Sequence, residues 1–483
     1  MIRWEGLFEA PAIYDGRRGH MPPTIEALRE SLAALGVPIL SDAPPELLGQ
    51  ILQHAPGANG LIARTSRGMR QRLQALAPLP PLWFHVLSSQ YPGAHEAQCR
   101  ESMLAALEAQ SVRFRLVSIE MPGFLLDDPD RAQVHPPFLQ PERGAVRLAA
   151  VLQTRCAALQ SLDLTDTEIE VWREIDAALP ACAALQRVRL TGATFHRDEH
   201  PFAGLAQCAA LRELHLEDTR LGYHSAGLAP VLAACRALQR LNLRANFLSY
   251  TDFRATPQVL VLQHLTDALR HHPSLEHLDV SDCGLSMPCI ALLAGSLPTC
   301  PRLAHLDVGS HTLDVVKMTA LAAMLPRCLA LRHLGLRESR AMGTEGLVAL
   351  TGAQALRGLA SLDLHGCSIE YILPLHGPGA AVVAELALCP RLSALDLSDN
   401  DLGNTFTSSL AGRLPLFPAL TQLNLAGTKM SDTGVRALAQ AVRRCPGLVR
   451  LNITRNSCTP ETARQMRDAW RATHADTAGL WMD

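Results

Sequence analysis

Aromatic rings are scarce in this chain, 4% of 483 residues. Any interior it builds must therefore be aliphatic, and leucine with alanine supplies it. No apolar run reaches the roughly 20 residues needed to span a bilayer. Opposite charges nearly cancel, with a net charge of −2 and a pI near 6.8. That balance argues against a broad basic footprint for nucleic acid or membrane. The opening stretch "MIRWEGLFEAPAIYDG" has no basic segment followed by an apolar core, so no secretory signal is expected. Catalytic signatures are missing as well. There is no glycine-rich phosphate loop, no G-x-S-x-G, no H-E-x-x-H and no C-x-x-C. The expectation is a protein that is not an enzyme and needs neither cofactor nor metal.

Cysteine is plentiful, with 13 residues, yet its spacing is architectural. Cys156, Cys182, Cys208, Cys235, Cys300, Cys328, Cys389 and Cys445 each stand three residues before a leucine that opens an L-x-x-L-x-L pattern. Cys283, Cys367 and Cys458 fall at or just after the turn that closes it. A small, weakly polar side chain suits both places. Reduced thiols and a cytosolic environment follow.

The pattern itself recurs, as in "CPRLAHLDVGSHTL" from Cys300 and "CPRLSALDLSDNDL" from Cys389. Its first leucines are Leu159, Leu185, Leu211, Leu238, Leu275, Leu303, Leu331, Leu359, Leu392, Leu420 and Leu448. Most intervals are 26 to 28 residues, with longer ones of 37 and 33 after Leu238 and Leu359. This resembles the leucine-rich repeat of the ribonuclease-inhibitor type. The resemblance implies an α/β solenoid with parallel strands inside and helices outside. "WFHVLSSQYPG" (83–93) and "RFRLVSIEMPG" (113–123) read as two degenerate units. About 13 units then fill residues 79–458, and 459–483 forms a cap in which Trp470 covers the open end of the core. The turn position holds Asn246, Asn400 and Asn456 in three units, whose amides can satisfy backbone groups in a tight turn. Ala193 cannot, and should mark the loosest turn.

Repeat phase also orders the polar residues. His277, His305 and His333 hold equivalent strand positions and should form a ladder on the concave face, either a solvated row or a three-imidazole zinc site. Asp279 and Asp307 are likewise neighbours, as strand architecture or as a carboxylate pair. Tyr223, Tyr250 and Tyr371, three of only five tyrosines, each follow a repeat's last apolar residue by two. They should crowd one rim, either as contacts for a partner or packed beneath their own insertions. With Phe253, Glu213, Glu217, Arg240, Arg244 and the three histidines they make the candidate partner-binding set.

Residues 1–78 carry no repeat and read as a helical module. A helix is expected from Thr24 to Leu35, capped by Thr24, and "APPELLGQILQHAPGANGLIARTSRGM" (43–69) is similar to an F-box. Pro45, Glu46, Leu47, Leu48, Ile51 and Leu52 match that motif's first helix, and Ile62 falls in its later part. Met69 stands where the family has tryptophan. The resemblance implies docking on a Skp-type adaptor of a cullin ubiquitin ligase through residues 43–76. The order of module then solenoid resembles F-box leucine-rich proteins and the GALA effectors that plant-pathogenic bacteria deliver into host cytoplasm. The Ala, Leu, Arg and Pro bias fits a bacterial source. The alternative is a leucine-rich interaction or inhibitor protein with no ubiquitin link.

Overall fold

The computed structural model describes residues 81–85, 104–109, 111, 115–121, 144–169, 172–195, 202–221, 227–246, 248, 258–310, 313–352, 356–370, 378–474 and 479–482. The chain divides into two compact units, Met1–Val188 and Arg189–Asp483. The F-box-like stretch 43–76 lies outside the described residues, and so do Tyr223, Tyr250, Phe253 and Tyr371.

In the first unit, β1 (Pro81–His85) pairs in parallel with β2 (Arg115–Glu120), which pairs in parallel with β3 (Ser161–Asp163). These two strands overlap the stretches 83–93 and 113–123. Helix α1 (Gly144–Arg155) and helix α2 (Trp172–Ala178) pack together. A two-pronged ion pair, Arg147 Nε to Glu108 Oε1 at 2.7 Å and Nη2 to Oε2 at 2.9 Å, ties α1 to the helical residues 104–109. The guanidinium holds the Glu108 carboxyl below its usual range.

The second unit follows the boundary strand β4 (Arg187–Arg189). Its strands are β5 (Glu213–His215), β6 (Arg240–Asn242), β7 (His277–Asp279), β8 (His305–Asp307), β9 (His333–Gly335), β10 (Ser361–Asp363), β11 (Ala394–Asp396), β12 (Gln422–Asn424) and β13 (Arg450–Asn452). Each pairs in parallel with the next, leucine beside leucine. Parallel neighbours need a crossover, and helices supply it between most of these strands. The unit after β4 departs from this although it is as long as the one before, 26 residues from Leu185 to Leu211. Among its described residues it has only a 3-10 turn, Leu205–Gln207, in place of an α-helix. Several helices end on a Leu-Pro pair, at Leu297, Leu325 and Leu414, because proline has no N–H to continue the helical ladder.

The core is the leucine register read from the sequence. Leu275, Leu278 and Val280, for example, are all within 1% of complete burial. The cysteines lie behind it, and the 12 described are free thiols, ten of them buried. Burial pushes the thiols of Cys235, Cys300 and Cys328 up to about 11 and those of Cys283 and Cys367 to about 12. The thiols of Cys235, Cys283, Cys300 and Cys367 donate to carbonyls of the preceding repeat, as Cys300 does to Leu269 at 3.2 Å. They are neutral packing groups.

The C-terminal end differs from a simple helical cap. Helix α3 (Pro460–Arg471) is capped by the Thr459 side chain and buries Trp470, which stacks on His474 with centroids 4.0 Å apart. The chain then returns to add β14 (Leu480–Trp481), parallel to β13. No helix among the described residues is long and apolar enough to cross a membrane.

Candidate functional site

Every strand of the second unit from β5 to β13 shows three residues, of which the middle leucine is buried. Alternation along a strand sends the flanking pair to the opposite face. Strand pairing stacks those flanks into two rows. The first runs His277, His305, His333, Ser361, Ala394, Gln422, Arg450. The second runs Asp279, Asp307, Gly335, Asp363, Asp396, Asn424, Asn452, Trp481.

The three histidines form the expected ladder. The rings of His277 and His305 are 4.7 Å apart and inclined by 18°, and those of His305 and His333 are 4.0 Å apart and inclined by 12°. Stacked imidazoles aim their in-plane nitrogens alongside one another, whereas a tetrahedral metal needs them to converge. The described residues hold no group of three metal-ligating side chains. Burial lowers all three histidines, and for His305 the neighbouring rings add to it, bringing it to about 4. The stack is therefore neutral at pH 7. Its 3.8 Å approach from His277 Nε2 to Asp307 is not an ion pair there.

Most aspartates of the second row are turn-formers. Asp279 Oδ1 accepts from the Ser281 amide and hydroxyl, Asp363 Oδ1 from the His365 amide, and Asp396 Oδ1 from the Ser398 amide and hydroxyl. Asn242, Asn424 and Asn452 do the same with their amide oxygens. The following residues then take a left-handed conformation, as at Asp282 (φ 53°), Asp399 (φ 54°) and Arg455 (φ 55°). The repeat that looks most regular in sequence breaks this rule. Among the described residues Asp307 caps nothing, and Ser310 does not enter the left-handed region. Its carboxylate instead leans into the space left by Gly335, where any Cβ would overlap Asp307 Oδ1. Burial, and then the charges of Asp279 and Asp363, raise Asp307 to about 6.

Beyond this notch the strand face opens into a groove of about 520 Å³. Small residues, Ser361 and Ala394, make its floor between β10 and β11, and Asp363 and Asp396 line one side. Trp481 walls the far end, with 45% of its surface exposed. Sequence reading missed this element, since Trp481 falls outside the repeat register. Its one signal was a rare aromatic after the last recognisable unit.

The charged residues expected near the rim pair with each other. Arg240 lies 3.5 Å from Glu213, and Arg244 lies 3.6 Å from Glu217 and 3.4 Å from Asp282. A second network, unforeseen, runs along the turn edge. His365 Nδ1 is 2.9 Å from Ser398 Oγ, its Nε2 is 3.3 Å from Glu338, and Arg455 meets Asp399 at 2.8 Å.

Residues 148–262 match the family model for the leucine-rich repeats of FBD-associated F-box protein At5g56370. Residues 271–286 and 418–439 match a leucine-rich-repeat model. The chain carries leucine-rich repeats, and its strands and helices have the α/β solenoid arrangement of that repeat class. Such repeats are typical of protein-binding proteins. No curated protein matches the chain. Among solved structures it is similar to an internalin, InlF, from Listeria monocytogenes. The identity is 13% and the TM-score 0.37, with 77% of this chain and 92% of that chain covered. It is also similar to TLR13 in a complex with ssRNA13. There the identity is 16% and the TM-score 0.40, with 74% of this chain and 45% of that chain covered.

Proposed function

We propose that this protein is a non-enzymatic adaptor. Its strand face captures a protein partner, and residues 43–76 recruit a Skp-type adaptor of a host ubiquitin ligase. The observation that carries the capture half is the strand face itself. Two ordered polar rows lead into an open groove ending on an exposed tryptophan, which is the composition of an interface anchor. Its aspartates mostly build turns, and the thiols behind it are neutral and buried, so the face is suited to recognition. The recruitment half rests on Pro45, Glu46, Leu47, Leu48, Ile51, Leu52, Ile62 and Met69. The match of residues 148–262 to repeats of an F-box protein supports it. In this reading the protein works in a cytosolic environment, delivered into a host by a bacterium. The reading also assigns Tyr223, Tyr250, Phe253 and Tyr371, which lie outside the described residues, to the capture set together with Glu213, Glu217, Arg240 and Arg244.

A pull-down of purified full-length protein with a Skp adaptor tests recruitment. Wild type binds at micromolar concentration, and Leu48→Ala with Ile51→Ala abolishes binding without changing the melting temperature. No binding by wild type leaves an interaction or inhibitor protein with no ubiquitin link. For the rim, Tyr223→Ala with Tyr250→Ala weakens partner capture at constant melting temperature, and a large drop in stability instead assigns those rings to packing.

A further inference from the structure

Within that capture reading, we propose that the groove between β10 and β14 takes one kind of occupant. It is a short extended protein segment with a lysine or arginine at one end and an apolar side chain at the other. The groove crosses five strands, Ser361–Asp363 through Leu480–Trp481. At about 4.8 Å per strand this is about 19 Å, the length of about six extended residues.

Its two ends differ in chemistry. At one end Asp363 and Asp396 stand side by side in register. Their partners are amides and hydroxyls: the His365 amide for Asp363, and Ser398 with Asn424 Nδ2 (2.8 Å) for Asp396. Among the described residues, the salt bridge to this pair is from Arg337 to Asp363, at 3.6 Å and from a side chain 61% exposed. Burial raises the Asp363 carboxyl, so a cation arriving there meets a charge that solvent compensates poorly. One strand beyond Gly335, Asp307 adds a further carboxylate that accepts no hydrogen bond among the described residues. At the other end the Trp481 ring offers an apolar wall. Between them Asn452 spends its oxygen on Thr454, and its Nδ2, which donates to none of the described residues, faces a segment carbonyl. Ser361 and Ala394 are small enough to let a backbone lie down. Arg450 stands in the other row, away from the carboxylates, and favours no second cation at that end.

The repeat supplies clean variants. Asn242, Asn424 and Asn452 already fill the position of Asp363 and Asp396 and form the same turn, so Asp363→Asn with Asp396→Asn removes charge and keeps architecture. Ala394→Arg fills the floor.

Full-length protein is panned against a phage-displayed random octapeptide library, and the selected peptides are measured by fluorescence anisotropy. Lys or Arg at one end and an apolar residue at the other should be enriched. Affinity should fall about tenfold or more in Asp363→Asn/Asp396→Asn and with added salt. Trp481→Ala should lose the apolar preference, Ala394→Arg should abolish binding, and Arg450→Ala should bind no more weakly than wild type. A consensus without Lys or Arg, or basic peptides indifferent to the double asparagine variant, overturns the proposal. If an acidic or neutral consensus is blocked by Ala394→Arg, capture on this face stands and the basic occupant falls. If no selected peptide responds to Ala394→Arg, both fall together.

Discussion

Asp307 is held at a cost. Its carboxyl titrates near 6 in the folded protein against 3.8 as a free side chain. Between those values the folded state binds more protons, so stability is gained as pH falls through 6 and the penalty is complete at pH 7. Asp307→Asn should therefore stabilise the protein at pH 7, by on the order of 1 kcal/mol after solvent screening. The gain should vanish near pH 4, read as the difference in melting temperature across that range. His305 works in the opposite sense. Its folded value of about 4 lies below the free value of 6.5, so the unfolded chain binds more protons in between. Stability present above pH 6.5 is lost as pH falls toward 4, and His305→Gln should flatten that loss. The histidine ladder was legible in the sequence because it repeats in phase. The carboxylate's exception was not. It depends on Gly335, 28 residues away, being the neighbour across the strand pair.

At the scale of the element, the turn is the device that makes strand succession possible. Asn400 accepts from the Ile369 amide and donates to the carbonyls of Leu364, Leu397 and Ser398. Asn400→Ala should cost about 3 kcal/mol by stranding these buried groups, and the chemical denaturation midpoint will show it. Asn400→Cys should lose less, since Cys283 and Cys367 at the same position each donate to a carbonyl at 3.0 Å. The two glycines around Asp307 divide similarly. A Cβ on Gly309 would meet the Arg337 backbone, with its nitrogen only 2.6 Å away, so Gly309→Ala should lower the melting temperature by several degrees, about 2 kcal/mol. Gly335→Ala meets only the Asp307 side chain, which can rotate away, and should cost less. Strands, turn asparagines and buried cysteines were readable because each is a local rule written many times. The 3-10 turn at Leu205–Gln207 was not, because crossover length alone does not say whether a helix forms.

For the whole molecule, stability in a repeat array is carried from neighbour to neighbour, and the ends are its weak points. Trp470 closes the C-terminal end at 1% exposure. Trp470→Ala should cost about 3 to 5 kcal/mol locally and speed amide exchange first in β13, with the middle strands following later. The sequence reading expected this tryptophan to cover the end of the core, and the structure buries it on α3. That reading held no hint that the chain would turn back to lay β14 beside β13, because a two-residue strand has no periodicity to read. The groove was hidden for the same reason: its wall comes from that strand and its floor from the merely small residues Ser361 and Ala394.

The phased thiols make the array a recorder of its own opening. Nearly every repeat carries one cysteine, shielded and protonated while its repeat is closed. Brief exposure to an alkylating reagent during denaturation would mark each repeat at the moment it admits solvent. Peptide mass mapping would then give the order of melting, position by position, without a single engineered probe. Cys445 and Cys458 are already half-exposed in the closed array and serve as the reference for full labelling; if the ends are the weak points, the buried Cys389 should be tagged before Cys300 and Cys328.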